Sequence, residues 1–387
     1  MQFNLEKALF YFHDPQHPGD YYNKDQLTQN GIFFNIFDFP LHYAGDIFEG
    51  ERFFFDELQQ QFFIWALKHH APRCVSSMKA MYIMKPDTPA PYIDFVKRHL
   101  SEYQAHGIEI KFPNIDEISF YQGSEKDVRN IILETAKRNI ESGHVTPKGD
   151  PGYVRPVAGR GKRFINGQYD PALGLLSYPF EWFVAVMVAP WGAYAKPPVN
   201  VIVHPEPIYE PLRRVKAQAN YGYGSKSKNE AVLSGLTDVL LTHSHQPYTG
   251  DRYIQELTAM NIIFIVGDKK LVTPYLKEPI LPGVTRLYTL YMGRKLGYEV
   301  EERRVTLNEV MEKCRAAVIV GTATGVVPVD SIADPITDKV LFLDSKHKIA
   351  QELSSQYKAS VKGEEVYAPL RELRDSMRTP IEARIPN

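Results

Sequence analysis

The feature that most constrains this chain is the regular succession of short apolar runs and amphipathic stretches through its second half. Runs at 199–204, 239–242, 262–266, 317–320 and 340–343 are four to six residues long and rich in Val, Ile and Leu. Stretches at 224–234, 285–296, 307–313 and 347–356 lie between or after them and are predicted as helices. Buried strands alternating with helices make an α/β domain, here 199–387 and within the usual domain size. Just ahead of it stands Lys196-Pro197-Pro198. Proline fixes φ and offers no N–H, so regular structure stops there, and 193–198 is predicted as an interdomain linker. The remaining residues, 1–192, are expected to form an α+β domain, and a chain of 387 residues suits two cores.

The pattern in the first half is less even. Strands are predicted at 32–37, 52–55, 80–84, 152–157 and 182–188, and helices at 57–68, 99–106 and 127–142. The last is the clearest, because Val128, Ile131, Ile132, Ala136 and Ile140 recur at helical spacing and Gly143 stops the run.

Charge narrows the function. Lysine and arginine are scattered and the formal net charge is -1, which builds no sustained positive field for nucleic acid or anionic lipid. No apolar run reaches the length of a membrane span. The opening Met-Gln-Phe-Asn-Leu-Glu lacks the basic-then-apolar order of a signal peptide. Cys74 and Cys314 are isolated thiols, which suits a reducing compartment, and a cytoplasmic enzyme is expected. Aromatic residues make up 12%, suited to pocket walls and a subunit contact.

The chemistry gathers in four strips of the second half. Arg213-Arg214-Val215-Lys216-Ala217-Gln218-Ala219-Asn220-Tyr221 puts a lysine between a proline-containing turn and a helix start. Glu256 and Asn261 flank the approach to the apolar strand at 262–266. Leu281-Pro282-Gly283-Val284-Thr285-Arg286 is a turn that opens a helix on a hydroxyl residue, where free amides can cradle a phosphate. Val320-Gly321-Thr322-Ala323-Thr324-Gly325 sets small residues after a buried strand, where amides can approach an anion. Three strips of the first half accompany them: His42-Tyr43 through Phe48-Glu49-Gly50, Gly152-Tyr153-Val154-Arg155-Pro156, and Pro190-Trp191-Gly192-Ala193-Tyr194.

In this order the strips resemble the fold-type IV pyridoxal-phosphate enzymes, and most of all the branched-chain aminotransferases. The likeness covers nearly all of the second half and isolated points of the first. It implies a small α+β domain and a larger α/β pseudo-barrel with pyridoxal phosphate between them. Lys216 would form the Schiff base and, once released, move the proton between substrate and cofactor. Glu256 would face the pyridine nitrogen, Asn261 would orient that region, and Tyr221 would meet the phenolic oxygen. Val284, Thr285 and Thr322 would hold the phosphate, and Leu281 would also contact the cofactor. The Thr322 and Ala323 amides and the Tyr153 hydroxyl would take the substrate carboxylate. Tyr43, Phe48, Tyr153, Arg155, Trp191 and Tyr194 would wall the side-chain pocket, with Arg155 available to glutamate's second carboxylate. The implied reaction exchanges amino groups between an apolar, branched-chain-like amino acid and 2-oxoglutarate. A homodimer or larger homo-oligomer is implied as well, because Tyr43 and Phe48 serve a neighbouring subunit too.

Two departures stand out. The family's phosphate-binding arginine falls, by the spacing of 99–113, on Phe95, so Arg98 is the expected cation and Lys97 the second choice. With that register 56–91 reads as an insertion, itself the other source of a cation. The second departure is Gln218-Ala219 where the family has glycines. No metal is expected: Thr242-His243-Ser244-His245 has no Cys or carboxylate partner in its strip, and the adjacent side chains of His69-His70 would point in different directions on a helix. A lyase on the same fold, of the aminodeoxychorismate kind, and a specialised member with altered cofactor binding are the alternatives.

Overall fold

The computed structural model describes residues 5–32, 40, 43–88, 90–162, 164–165, 168–169, 180–192, 195–207, 211–244, 251–364 and 366–386. The apolar strands of the first half assemble into an eight-stranded antiparallel sheet. Its order is Asp20–Tyr22, Phe10–His13, Trp182–Pro190, Gly152–Arg160, Glu51–Asp56, Gln61–Trp65 and Arg378–Ile381, with Ile47–Phe48 also on Gly152–Arg160. Helices Leu67–Ala80 and Glu125–Glu141 cover one face, where Phe53, Leu67, Met78, Ile132, Ile140, Val154 and Val186 pack together. Ser124 and Asp127 form a capping box that starts the second of these helices. The stretch predicted at 127–142 is this helix.

Three expectations for the first half fail. Residues 57–68 are not a helix. The Asp56 carboxylate accepts from the Leu58 and Gln59 amides (2.9 and 3.0 Å), Gln60 takes a φ of 51°, and the chain turns back into strand Gln61–Trp65. Phe62, Phe63, Ile64 and Trp65 are buried on both faces of that strand, and such an unbroken apolar run lacks the alternation that would have told a strand from a helix. Nor is 80–84 a strand, since it holds the end of helix Leu67–Ala80 and a turn with Tyr82 at φ 56°. Finally, 56–91 does not stand apart as an added segment: it supplies a sheet strand and a core helix. The peripheral elements are instead the short helices Ile93–Arg98 and Leu100–Ala105, which bury no residue. The strand expected at 32–37 falls almost wholly outside the described residues.

The second half holds two five-stranded sheets. One runs Tyr253–Leu257, Asp238–His243, Asn200–Val203, Ser331–Asp334, Lys339–Phe342; the other runs Glu299–Arg303, Lys270–Pro274, Asn261–Val266, Cys314–Gly321, Gly325–Pro328. Val201, Leu240, Ile254, Ile262, Phe264, Ile319 and Ile332 form one core shared by both sheets. Helices Val284–Lys295 and Lys348–Lys362 close the other face of the second sheet, and Ala231 of helix Asn220–Leu233 packs on Val239 and Leu241 of the first. The chain does not divide cleanly at 199–387. Its last strand returns to the first-half sheet, pairing Arg378 with Trp65 and Ile381 with Phe62. Pro380 is tolerated there because the strand lies at the sheet edge.

Candidate active site

Between the first-half sheet and the second-half strands lies a cavity of about 260 Å³. The Lys216 segment reaches it because it is stitched to the first half. The Phe48 amide donates to Lys216 C=O (3.1 Å), the Gln218 amide to Asp46 C=O (2.8 Å), and the Lys216 amide to Ser77 Oγ (3.2 Å). Asn220 Nδ2 braces the turn from the other side on the Leu212 and Val215 carbonyls (3.0 and 2.8 Å). The half-buried Lys216 side chain projects into the cavity. Its Nζ donates to Tyr221 OH (2.9 Å) and sits 4.6 Å from the centre of the Phe48 ring.

Glu256 stands on strand Tyr253–Leu257, which the sequence did not single out, and the tight turn closed by the Leu257 amide on Met260 C=O (2.8 Å) brings it beside Asn261. Its Oε2 accepts from Asn261 Nδ2 (2.8 Å) and the Leu281 amide (3.2 Å), while Oε1 lies 3.5 Å from the Arg213 guanidinium. Burial raises its pKa to about 7, against the opposing pull of Arg213, the Leu281 amide and Lys216. Helix Val284–Lys295 begins after Gly283 with no side-chain cap, so its first amides are open to an anion. Gly283 is required there, because a Cβ would overlap Asn261 Oδ1.

Facing these groups, Arg155 donates to Tyr153 OH (3.0 Å) and stacks over Phe48 (4.5 Å). The Trp191 ring lies 5.4 Å from that of Tyr153. Thr322 and Ala323 form the tip of the turn joining strands Cys314–Gly321 and Gly325–Pro328, beyond the last paired residues Gly321 and Gly325.

Of the residues singled out by sequence, Phe48, Tyr153, Arg155, Trp191, Lys216, Tyr221, Glu256, Asn261, Leu281, Val284, Thr285, Thr322 and Ala323 all line this cavity. Tyr43 does not line it, and Tyr194 lies outside the described residues. Arg98 and Lys97, expected as its cation, do not line it. Both are exposed at the end of the peripheral helix Ile93–Arg98, and Lys97 lies over Phe112 instead.

The sequence reading missed Arg73 and Arg213. Arg73, on helix Leu67–Ala80, donates to Pro282 C=O (2.9 Å), at the turn that opens helix Val284–Lys295. The same guanidinium grips both oxygens of buried Glu49 (2.8 and 2.6 Å), which also meets His70 Nδ1 (3.2 Å). Burial pushes Glu49 up, yet Arg73 and His70 outweigh it and hold the carboxyl well below the ordinary range. Beside it Glu51 is fully buried with both oxygens unpartnered, and burial, then Glu49, pushes its pKa far up. Glu49, Glu51 and His70 have ligand atoms within 4.8 Å of one another. Arg73 already occupies the Glu49 carboxylate, so the cluster holds an ion pair beside the unpartnered Glu51 carboxyl.

A lysine, a buried carboxylate and an open helix start meeting between two such sheets define a class. The chain belongs to the amino-transferase class IV family, whose model matches residues 47–332. A probable branched-chain-amino-acid aminotransferase of Rickettsia conorii is 28% identical over 88% of this chain and 94% of its own. The chloroplastic branched-chain-amino-acid aminotransferase 5 of Arabidopsis thaliana is 33% identical over 51% of this chain and 48% of its own. Among solved structures, the branched-chain amino acid aminotransferase of Thermobaculum terrenum in its PLP form superimposes with a TM-score of 0.68. It is 18% identical and covers 98% of this chain and 99% of its own. The mixed α/β fold is therefore the fold-type IV architecture that the motifs implied.

Proposed function

We propose that this chain is a pyridoxal-phosphate-dependent aminotransferase acting between a branched-chain or related apolar amino acid and 2-oxoglutarate. The observation that carries the reading is the cavity's charge. Among the described residues, four cationic side chains, Arg73, Arg155, Arg213 and Lys216, line it against one carboxylate, Glu256, with Glu49 paired to Arg73 behind the wall. That surplus suits a phosphate dianion together with a substrate carboxylate.

Bound there, pyridoxal phosphate supplies an aldehyde that takes up amino groups and a protonated ring that draws electrons from the substrate's α-carbon. Lys216 Nζ holds the cofactor and, when free, carries the proton to and from the α-carbon, with Tyr221 OH 2.9 Å away to steady it. Glu256 would face the ring nitrogen. A ring N–H adds one more donor to a carboxylate already held by Asn261 and Leu281, and so favours its charged form. The Val284 and Thr285 amides, the Thr285 hydroxyl and Thr322 would hold the phosphate, and Arg73, tied to the Pro282 carbonyl in the turn before that helix, would supply its full cation in place of Arg98. The Thr322 and Ala323 amides bind the substrate carboxylate with Tyr153. The Tyr153 hydroxyl accepts from Arg155 and keeps its own proton to donate. Phe48 and Trp191 supply the apolar wall, and Arg155 meets glutamate's second carboxylate.

Tyr43 stands outside its own cavity, which supports a homodimer in which it serves the neighbouring pocket; a sedimenting monomer with full turnover overturns this. Among the described residues no helix is long and apolar enough to cross a membrane. The buried free thiols Cys74 and Cys314 suit a cytoplasmic setting. The cofactor assignment is tested by absorbance: the purified protein with pyridoxal phosphate should show a near-visible band that Lys216→Ala abolishes. A band that survives the substitution assigns the cofactor's link to another residue.

A further inference from the structure

Arg52 stands apart from the cavity yet holds two of its walls. It lies on strand Glu51–Asp56, opposite Tyr153 in the register, and is half-buried. One terminal nitrogen donates to Trp191 C=O (2.5 Å) and the other to Ala323 C=O (3.3 Å). Its guanidinium faces the groove behind the turn, lined also by Phe54, Tyr357 and Lys358, and is not part of the cavity lining. The turn itself is held from within the second half by the Thr324 amide on Gly321 C=O (3.2 Å) and Thr324 Oγ1 on Met260 Sδ (3.0 Å). Arg52 adds a tie from the first-half sheet.

We propose that Arg52 is a positioning residue that clamps the Thr322–Ala323 turn to the Trp191 segment and so sets the subsite for the substrate's α-carboxylate. The carboxylate would be gripped from two sides, by turn amides from the second half and by Tyr153 from the first. These donors belong to different sheets, and the gap between them is fixed only if something bridges both. Arg52 does so from behind. It is the register partner of Tyr153, holds the carbonyl of the tryptophan whose ring packs at a tilt against Tyr153, and donates to the Ala323 carbonyl from outside the cavity lining. Two carbonyls on separate segments call for a planar fork; an ammonium group presents no such paired geometry.

The inference rests on the aminotransferase reading above. Its test uses the holoenzyme and 4-methylvaleric acid, which has leucine's skeleton without the amino group, beside isoamylamine, which has it without the carboxylate. The acid's Kd is measured by spectral titration for the parent, Arg52→Met and Arg52→Lys. Reaction with isoamylamine is followed by loss of the near-visible band, and pyridoxal-phosphate affinity and Tm are recorded for each. Arg52→Met should weaken the acid by at least about tenfold, the equivalent of one lost charge-assisted hydrogen bond. Cofactor affinity and the isoamylamine reaction should stay near the parent's, and Arg52→Lys should fall between. Unchanged acid binding in Arg52→Met overturns the clamp. So does a parallel loss of acid, amine and cofactor, which is the mark of a general packing role. A parent that shows the band but does not bind the acid refutes the carboxylate subsite and the clamp with it. A parent that takes up no cofactor refutes the aminotransferase reading itself.

Discussion

Replacing Arg73 separates what holds the fold from what holds the cofactor. In the parent, Glu49 is fully buried and both its oxygens are gripped by Arg73. Its pKa is held low, so its contribution to stability is present above the ordinary glutamate value and is lost as pH falls through the folded one. Arg73→Ala strands that carboxylate, and breaking such a buried pair costs about 3–5 kcal/mol. Burial then dominates, as it does for the adjacent Glu51, and the Glu49 pKa rises above its unfolded value. The sign of the pH dependence reverses. Stability of the variant is fullest below about pH 4.3 and falls as pH rises, so its Tm deficit should widen from pH 5 to 8. Arg73→Ala combined with Glu49→Gln removes the stranded charge, and most of the lost Tm should return. Cofactor affinity should not return, because the phosphate still lacks a charge-assisted contact worth about 1.5–3 kcal/mol, or roughly ten- to a hundredfold in Kd. Thermal melts of the apo-protein across pH and pyridoxal-phosphate titration give both readings. A double variant that binds the cofactor as tightly as the parent refutes Arg73 as the phosphate's cation.

Glu256, raised by burial to about 7, should cost the apo-protein stability as pH climbs from its unfolded value near 4.3 to about 7. Glu256→Gln should therefore gain Tm over the parent across that range and level off above it, while turnover falls at every pH; a pH-independent Tm difference contradicts the assignment. Arg155→Leu should raise KM for glutamate and 2-oxoglutarate by about ten- to a hundredfold and leave that for leucine nearly unchanged. Equal changes for both substrate types in steady-state kinetics would show that Arg155 does not read the second carboxylate.

The second-half site was legible because its residues sit in short strips whose local structure already aims them. Thr322 and Ala323 cap a hairpin, Val284 and Thr285 open a helix, and Lys216 leaves a turn. Arg73 was not legible in that way. Pro72 lies inside its helix and argues against one there, and the preceding Phe62-Phe63-Ile64-Trp65 run gave no amphipathic period. With that helix unread, the register slid onward and put the cation at Arg98. A helix over 67–80 would have shown His70, Arg73, Cys74 and Ser77 recurring at three- and four-residue steps on one face. Strand Arg378–Ile381 had no local signal of its partner, since its pairing with Gln61–Trp65 joins residues far apart in the sequence.

The central claim is amino-group transfer, and a single half-reaction tests it most directly. The holoenzyme is mixed with leucine and no acceptor, and the products are counted by mass spectrometry while the near-visible band is followed. Transfer predicts that the band bleaches, one equivalent of 4-methyl-2-oxopentanoate appears with the cofactor recovered as its amine, and 2-oxoglutarate restores the band with release of glutamate. Continuous release of ammonia from leucine with the band intact, or no change in the band with any apolar amino acid, would contradict it.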